Sequence, residues 1–231
     1  SSTGGGHWTD HKLPERWQIR YKDYLSFNVK PMNFKHTGVF PEQAANWDFI
    51  RDKVAGAGRP VRVLNLFAYS GGATLAAAAG GAEVYHVDAS KGMVAWAKEN
   101  AQASGLADRP IHWIVDDCGK FIQREIRRGR RYDGIKMDPP SYGRGPSGEI
   151  WKMETSFYPF LQETAKLLTD NPLFVIINSY TTGLAPSAVG YAADVVFGSK
   201  FGGHTEVGEL CLPVKSSGLL LPCGATGRWT P

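Results

Sequence analysis

Val63-Leu64-Asn65-Leu66-Phe67-Ala68-Tyr69-Ser70-Gly71-Gly72 is the stretch whose reading decides the fold. An apolar run ends in a tight Gly-containing turn, and a small-residue helix is predicted to begin at once over residues 72–79. Such a turn lets backbone amides approach a nucleotide-like ligand outside the carboxyl end of a parallel strand. A dinucleotide would require G-x-G-x-x-G there, because its pyrophosphate needs close backbone approach and a helix N-terminus. Phe67 and Tyr69 stand in the places of the first two glycines. The expected ligand therefore carries no phosphate.

Outward from this turn, short β-branched runs alternate with helix-length segments. Strands are predicted at 61–66, 83–87, 111–115, 132–137 and 173–178, which argues for βαβ units and a parallel sheet. Between them the pattern predicts helices over 90–104, with Ser90 as N-cap and Gly105 just past the end, and over 117–128, stopped by Gly129. Phe157, Phe160, Leu161, Thr164 and Leu168 share helical spacing, and another helix is expected over 186–197. Residues 205–212 and 219–221 read as two final strands joined by 213–218. The expected architecture is a doubly wound Rossmann-like α/β sheet ending in an antiparallel hairpin. Upstream, alternating runs at 17–21 and 24–29 flank Lys22-Asp23 and predict a small hairpin. A segment from Lys35 to Gln43 leads into a helix over 44–54, broken by Ala55-Gly56-Ala57-Gly58-Arg59-Pro60. The partition is thus a tail and hairpin (1–34), a ligand-facing segment with its helix (35–60) and the main domain (61–231). Ser1 to Asp10 lack an initiator Met and read as a trimmed or flexible lead-in.

The 231 residues contain 42% apolar and 21% charged side chains, enough for a buried core and incompatible with wholesale disorder. Three cysteines, Cys118, Cys211 and Cys223, form no C-x-x-C pair or zinc-ligand spacing, so neither a disulfide framework nor a metal site is expected. The longest strongly apolar stretches, such as 173–177, fall far short of the ~20 residues that span a bilayer, and no signal-peptide pattern opens the chain. A reducing cytoplasm is the expected compartment. A net charge of +4 permits a polyanionic partner without requiring one.

The strand ends carry the next signal. Asp88 lies 17 residues after Gly71 (88 − 71), where a carboxylate can accept both hydroxyls of a ribose. Asp116 and Asp117 end the third strand, where a carboxylate can accept an adenine amino group. Asp138 ends the fourth, followed by Pro139-Pro140-Ser141-Tyr142. Singly, each Asp reads as a helix N-cap. Together, at one edge of the sheet behind a Gly-containing turn, they predict a ligand site.

The runs NLFAYSGGATLAAAAGGAEVYHVDASKGMVAWAKENAQASGL and DDCGKFIQREIRRGRRYDGIKMDPPSYGRG resemble the class I S-adenosylmethionine-dependent methyltransferases, in the branch of ribosomal RNA large-subunit enzymes. The resemblance extends over residues 17–231, including KHTGVFPEQAANWDF and the terminal LPCGATGRW. It implies S-adenosylmethionine as cofactor, S-adenosylhomocysteine as product and RNA as partner. Phe67, Ala68, Tyr69, Ser70, Gly71 and Gly72 would wrap the methionine part, and Asn65 would also contact the cofactor. Asp88, with Ala89 and Ser90, would hold the ribose, while Asp116, Asp117 and Cys118 would meet the adenine. Phe40 and Gln43 would form a wall. In nitrogen methyltransferases an Asp-Pro-Pro-aromatic turn holds the target through the Asp and a Pro carbonyl while the aromatic stacks on the base. Asp138, Pro139, Pro140 and Tyr142 fit those roles, although Ser141 stands where an aromatic is common, and Asp138 also borders the cofactor. Cytosine carbon-5 relatives use a cysteine after the fifth strand or after the fourth-strand Asp-Pro pair. Here Asn178-Ser179-Tyr180 and Asp138-Pro139-Pro140 contain none, and carbon is a poor nucleophile without covalent activation. Longer relatives carry an N-terminal RNA-binding domain that this sequence does not contain.

Other candidates have bland readings. Arg124, Arg127, Arg128, Arg130 and Arg131 are expected to complement a helix dipole away from the ligand edge. Trp47, Trp96 and Trp113 read as core, Cys211 and Cys223 as free thiols, and His36 as structural or near the site. The basic Gly-rich loop 143–148 reads as a lid. The reading is an RNA methyltransferase acting on a base nitrogen, with no membrane or metal. Its rivals are a small-molecule or protein methyltransferase of the same fold, and a non-catalytic RNA-binding module.

Overall fold

The computed structural model describes residues 12–32, 36–144 and 150–231. The expected lead-in and the tip of the expected lid, 145–148, lie outside them. The chain opens with β1 (Trp17–Tyr21) and β2 (Leu25–Val29), an antiparallel hairpin. A 3-10 turn (Pro41–Gln43) leads into α1 (Ala44–Ala55). Then follow β3 (Arg62–Leu66), α2 (Gly72–Ala79), β4 (Glu83–Asp88), α3 (Lys91–Ala103), β5 (Ile111–Val115), α4 (Cys118–Arg127) and β6 (Gly134–Met137). A two-stranded ribbon, β7 (Tyr142–Arg144) and β8 (Ile150–Lys152), precedes α5 (Met153–Ala165), β9 (Phe174–Ser179), α6 (Pro186–Ala193), β10 (His204–Pro213) and β11 (Leu220–Thr230).

Seven strands form one sheet in the order β10-β11-β9-β6-β3-β4-β5. The five inner and right-hand strands are parallel, and β11 runs antiparallel to both β9 and β10. From β3 the chain winds outward through β4 and β5, then crosses back to β6 and β9. The order therefore reverses between β3 and β6, and ligands of open α/β sheets bind at such a switch point, outside the strands' carboxyl ends.

The inner parallel strands are covered on both faces, while edge strand β5 is only partly buried. Leu64, Leu66, Ile135 and Met137 face one apolar cluster that includes Phe121 and Ile122 of α4 and Phe157, Phe160 and Leu161 of α5. Val63, Phe174 and Ile176 face another with Trp47, Ile50 and Leu75, which also receives Leu25, Phe27 and Val29 of the hairpin. Strands buried on both faces normally read as apolar throughout. Here the second face carries a polar row, since Asn65 is register partner to His86 on one side and to Lys136 on the other. All three are buried. Asn65 Nδ2 donates to Thr74 Oγ1 (2.9 Å), so the Thr74 hydroxyl is left to donate to His86 Nδ1 at 2.9 Å.

Two elements differ from those expected. The last strand runs through Pro222, Cys223 and Gly224 to Thr230 rather than stopping near Leu221. It tolerates the proline because pairing with β9 spans only Ala225–Trp229, and the extra residue Cys223 is absorbed as a bulge between Leu210 and Cys211. The helix expected to reach Phe197 becomes a π turn from Asp194 to Gly198.

The hairpin is tied to the turn after β3 through one side chain. Asn100 is fully buried, accepts from Asn28 N (2.8 Å) and donates to Ser70 O (2.9 Å). Asn100→Ala strands both backbone groups, so urea unfolding is expected to show a loss of about 2–4 kcal/mol; a loss below about 0.5 kcal/mol would contradict this linkage. Burial also lowers the His86 pKa to about 3. Its folded-state pKa lies below that of the unfolded chain, so protonation favours unfolding and stability is lost as pH falls from about 6.5 towards 3. Relative to His86→Gln, the wild type should lose on the order of 1 kcal/mol more per pH unit between pH 6 and 4. Parallel pH profiles for the two proteins would exclude a neutral buried imidazole.

Candidate active site

The turn after β3 keeps the backbone of a glycine fingerprint without its glycines. Phe67 (φ 54°), Tyr69 (φ 50°) and Gly71 (φ 92°) are all left-handed. That conformation costs a non-glycine residue roughly 1–2 kcal/mol, and each of the two is held by several contacts. Phe67 N donates to Cys118 Sγ (3.3 Å), and its ring packs on Phe160 and Trp151. Tyr69 N donates to Asp88 Oδ2 (2.8 Å), and its ring lies 5.4 Å from that of Phe40. Burial pushes the Cys118 thiol up, so it stays protonated behind the turn.

A cleft opens between the ends of β3 and β6. It brings together Phe40, Gln43, Asn65, Phe67, Ala68, Tyr69, Ser70, Gly71, Gly72 and Asp138. Trp47 and Lys136 also line it, and neither was expected there. Trp47 belongs to the core as anticipated but presents its indole to the turn, where an added Cβ at Gly72 would lie 2.7 Å from Nε1. Gln43 is a wall with both amide ends committed: Nε2 donates to Tyr180 Oη (2.8 Å) and Oε1 accepts from Asn46 Nδ2 (3.0 Å).

The remaining expected residues sit around this cleft. Asp88 is fixed by two backbone amides, Tyr69 N and Ser90 N (2.8 Å each), with exposed Ala89 and Ser90 following it. Asp117 caps α4 by accepting from Lys120 N (2.9 Å). Asp116 accepts from Asp117 N and pairs with Arg124 at 2.6 Å. Arg124 thus reaches back to the ligand edge, whereas Arg128 and Arg130 pair with Glu125. Asp138 Oδ2 lies 3.3 Å from Lys136 Nζ. Pro139 is buried, and the carbonyl of exposed Pro140 accepts from Trp151 Nε1 (2.6 Å). Tyr142 lies on β7, half exposed and outside the cleft lining.

Tyr180, just past β9, was missed. Its ring sits 5.7 Å from Phe40, its hydroxyl donates to Glu42 Oε1 (3.1 Å), and burial pushes its pKa up. The available signal was its position one residue beyond a strand end at the same sheet edge. His36 is exposed, its ring tilted against that of Phe40 with centroids 5.1 Å apart. Cys211 and Cys223 are free thiols on the β10–β11 hairpin. Among the described residues no helix is long and apolar enough to cross a membrane.

Comparison with known proteins agrees with this geometry. Residues 3–183 match the family model of S-adenosylmethionine-dependent methyltransferases. The ribosomal RNA large subunit methyltransferase K/L of Shewanella frigidimarina is 30% identical over 172 residues, 73% of this chain and 23% of that protein. This chain therefore spans about a quarter of the length of the curated relatives it matches. The crystal structure of the SAM-dependent methyltransferase from Agrobacterium tumefaciens is 38% identical, with a TM-score of 0.93 over 100% of this chain and 76% of its own. The structure of SMU.776 complexed with SAH, 23% identical with a TM-score of 0.75 over 97% of this chain and 58% of its own, shares the fold. With a switch-point cleft, a left-handed turn and acidic strand ends matched to that family over most of its length, the chain belongs to the S-adenosylmethionine-dependent methyltransferases.

Proposed function

We propose that this chain methylates a nitrogen on an RNA base, in ribosomal RNA, in the cytoplasm. The observation that carries the reading is the Asp138-Pro139-Pro140 turn at the mouth of the switch-point cleft. The names of its curated relatives supply the ribosomal substrate.

The cleft fits the cofactor. Asn65 Oδ1 is buried on its floor with no hydrogen-bond partner among the described residues, and the Gly71-Gly72 cradle has no room for a Cβ, which would meet Ala97 or Trp47. Asp88 would accept the ribose hydroxyls and Asp117 the adenine amino group, while Phe67 to Gly72 would enclose the methionine part. When bound, the cofactor supplies an electrophilic methyl group on a sulfonium.

The chain's own residues then position the target. Asp138 accepts a hydrogen bond from the target amino group, and the Pro139 carbonyl accepts a second, since that of Pro140 is held by Trp151. Tyr142 is the stacking residue, with Phe40 and Tyr180 walling the mouth. A base nitrogen needs no covalent activation, and in-line placement of two bound reactants supplies ~7–11 kcal/mol of barrier reduction. Single-stranded or looped RNA presents such a base more readily than a duplex, which would have to flip it out.

Labelled-methyl transfer to purified ribosomal RNA tests the reading against a panel of metabolites and proteins; activity confined to the panel would overturn it. Asp138→Asn is expected to reduce turnover by roughly 10²-fold or more with S-adenosylhomocysteine affinity changed less than about threefold. Loss of both in equal measure would move Asp138 from the reaction to cofactor binding.

A further inference from the structure

Lysine is almost never fully buried unless paired, yet Lys136 is only 6% exposed and lines the cleft. Among the described residues its hydrogen-bond partner is Asp138, at 3.3 Å. That is long for a charge-assisted bond, which is typically about 2.7–2.9 Å. An ammonium has three N–H donors, so this contact leaves most of its capacity for something else in the cleft. Its register partner Asn65 shows the complementary want: the residue lines the same cleft, and its buried Oδ1 has no partner among the described residues. Adjacent strands lie about 4.8 Å apart, so a cation with spare donors and a neutral acceptor with none stand side by side on the floor. Gln43 does not compete for either, because both ends of its amide are engaged.

We propose that Lys136 and Asn65 form the subsite for the amino-acid end of the cofactor, Lys136 binding its α-carboxylate and Asn65 Oδ1 accepting from its α-ammonium. This rests on the reading that the cleft takes S-adenosylmethionine. Lys136 is then a specificity residue that selects the zwitterion, while Asp138 remains available to the substrate.

Calorimetry with S-adenosylhomocysteine, its decarboxylated analogue and methylthioadenosine, which lacks the amino-acid end, tests this. Wild-type protein is expected to prefer S-adenosylhomocysteine over the decarboxylated analogue by roughly 10-fold or more. Lys136→Met should weaken S-adenosylhomocysteine about 10–100-fold but methylthioadenosine less than about threefold, and Lys136→Arg should restore most of the preference. No wild-type preference for the carboxylate, or equal loss of both ligands in Lys136→Met, overturns the subsite; the wild-type comparison decides even where the Met variant does not fold. Failure of the wild type to bind S-adenosylhomocysteine at all would instead remove the cofactor reading on which the subsite rests.

Discussion

The hydrogen bond from Tyr69 N to Asp88 Oδ2 is the constraint on which the site depends. Tyr69 and Phe67 occupy backbone conformations that glycine adopts freely, and contacts from the surrounding structure must offset that strain. Asp88 holds the first from the neighbouring strand, and Cys118 Sγ holds the second from the start of α4. A carboxylate on the neighbouring strand thus shapes the turn that lines the cleft. The bulky rings also explain how a glycine-like backbone can enclose a ligand without phosphate: Phe67 and Tyr69 add walls where a dinucleotide fold needs open amides.

A second constraint is the polar row His86-Asn65-Lys136 across an otherwise apolar sheet face. Burying polar groups costs free energy unless they are bonded, and the row is only partly satisfied. Thr74 links Asn65 to His86, yet His86 Nε2 is buried without a partner among the described residues. At the cleft, Asn65 Oδ1 is likewise unpartnered among them and Lys136 holds Asp138 at long range. The row is therefore incompletely satisfied at both ends, and it persists because the apolar packing around it is extensive.

Much of this was legible in the sequence, for reasons that differ by element. The parallel strands and the turn declared themselves because β-branched runs and Gly71-Gly72 encode local conformation directly. The Asp-terminated strands were legible because an acid at a strand end has one edge to serve. Lys136 was not: period-2 alternation gives its face, but a lysine between Ile135 and Met137 reads as an edge or error until the neighbouring strands show that it is enclosed. Arg124 was misplaced with its neighbours because a run of arginines hides which of them turns back along the helix to Asp116. The length of β11 was hidden by Pro222 and Gly224, which break an isolated strand but not one whose paired section begins only at Ala225.

The segment from Gly38 to Gln43 has little regular structure of its own, yet it forms one wall of the cleft. Its order is borrowed from both ends of the chain. On one side the Ser70 hydroxyl donates to Gly38 O, and Trp96, which donates to Asn28 O, lies where any side chain at position 38 would sit. On the other, Arg228 Nε donates to Asn46 Oδ1 (2.7 Å), Asn46 orients Gln43, and Gln43 and Glu42 both grip Tyr180, whose ring packs where Gly224 has no side chain. The N-terminal hairpin and the C-terminal strand, remote in sequence from the Gly-containing turn, are therefore parts of the site's geometry. A wall built this way can be rigid with little secondary structure of its own, because its backbone and side-chain anchors come from several elements of the fold.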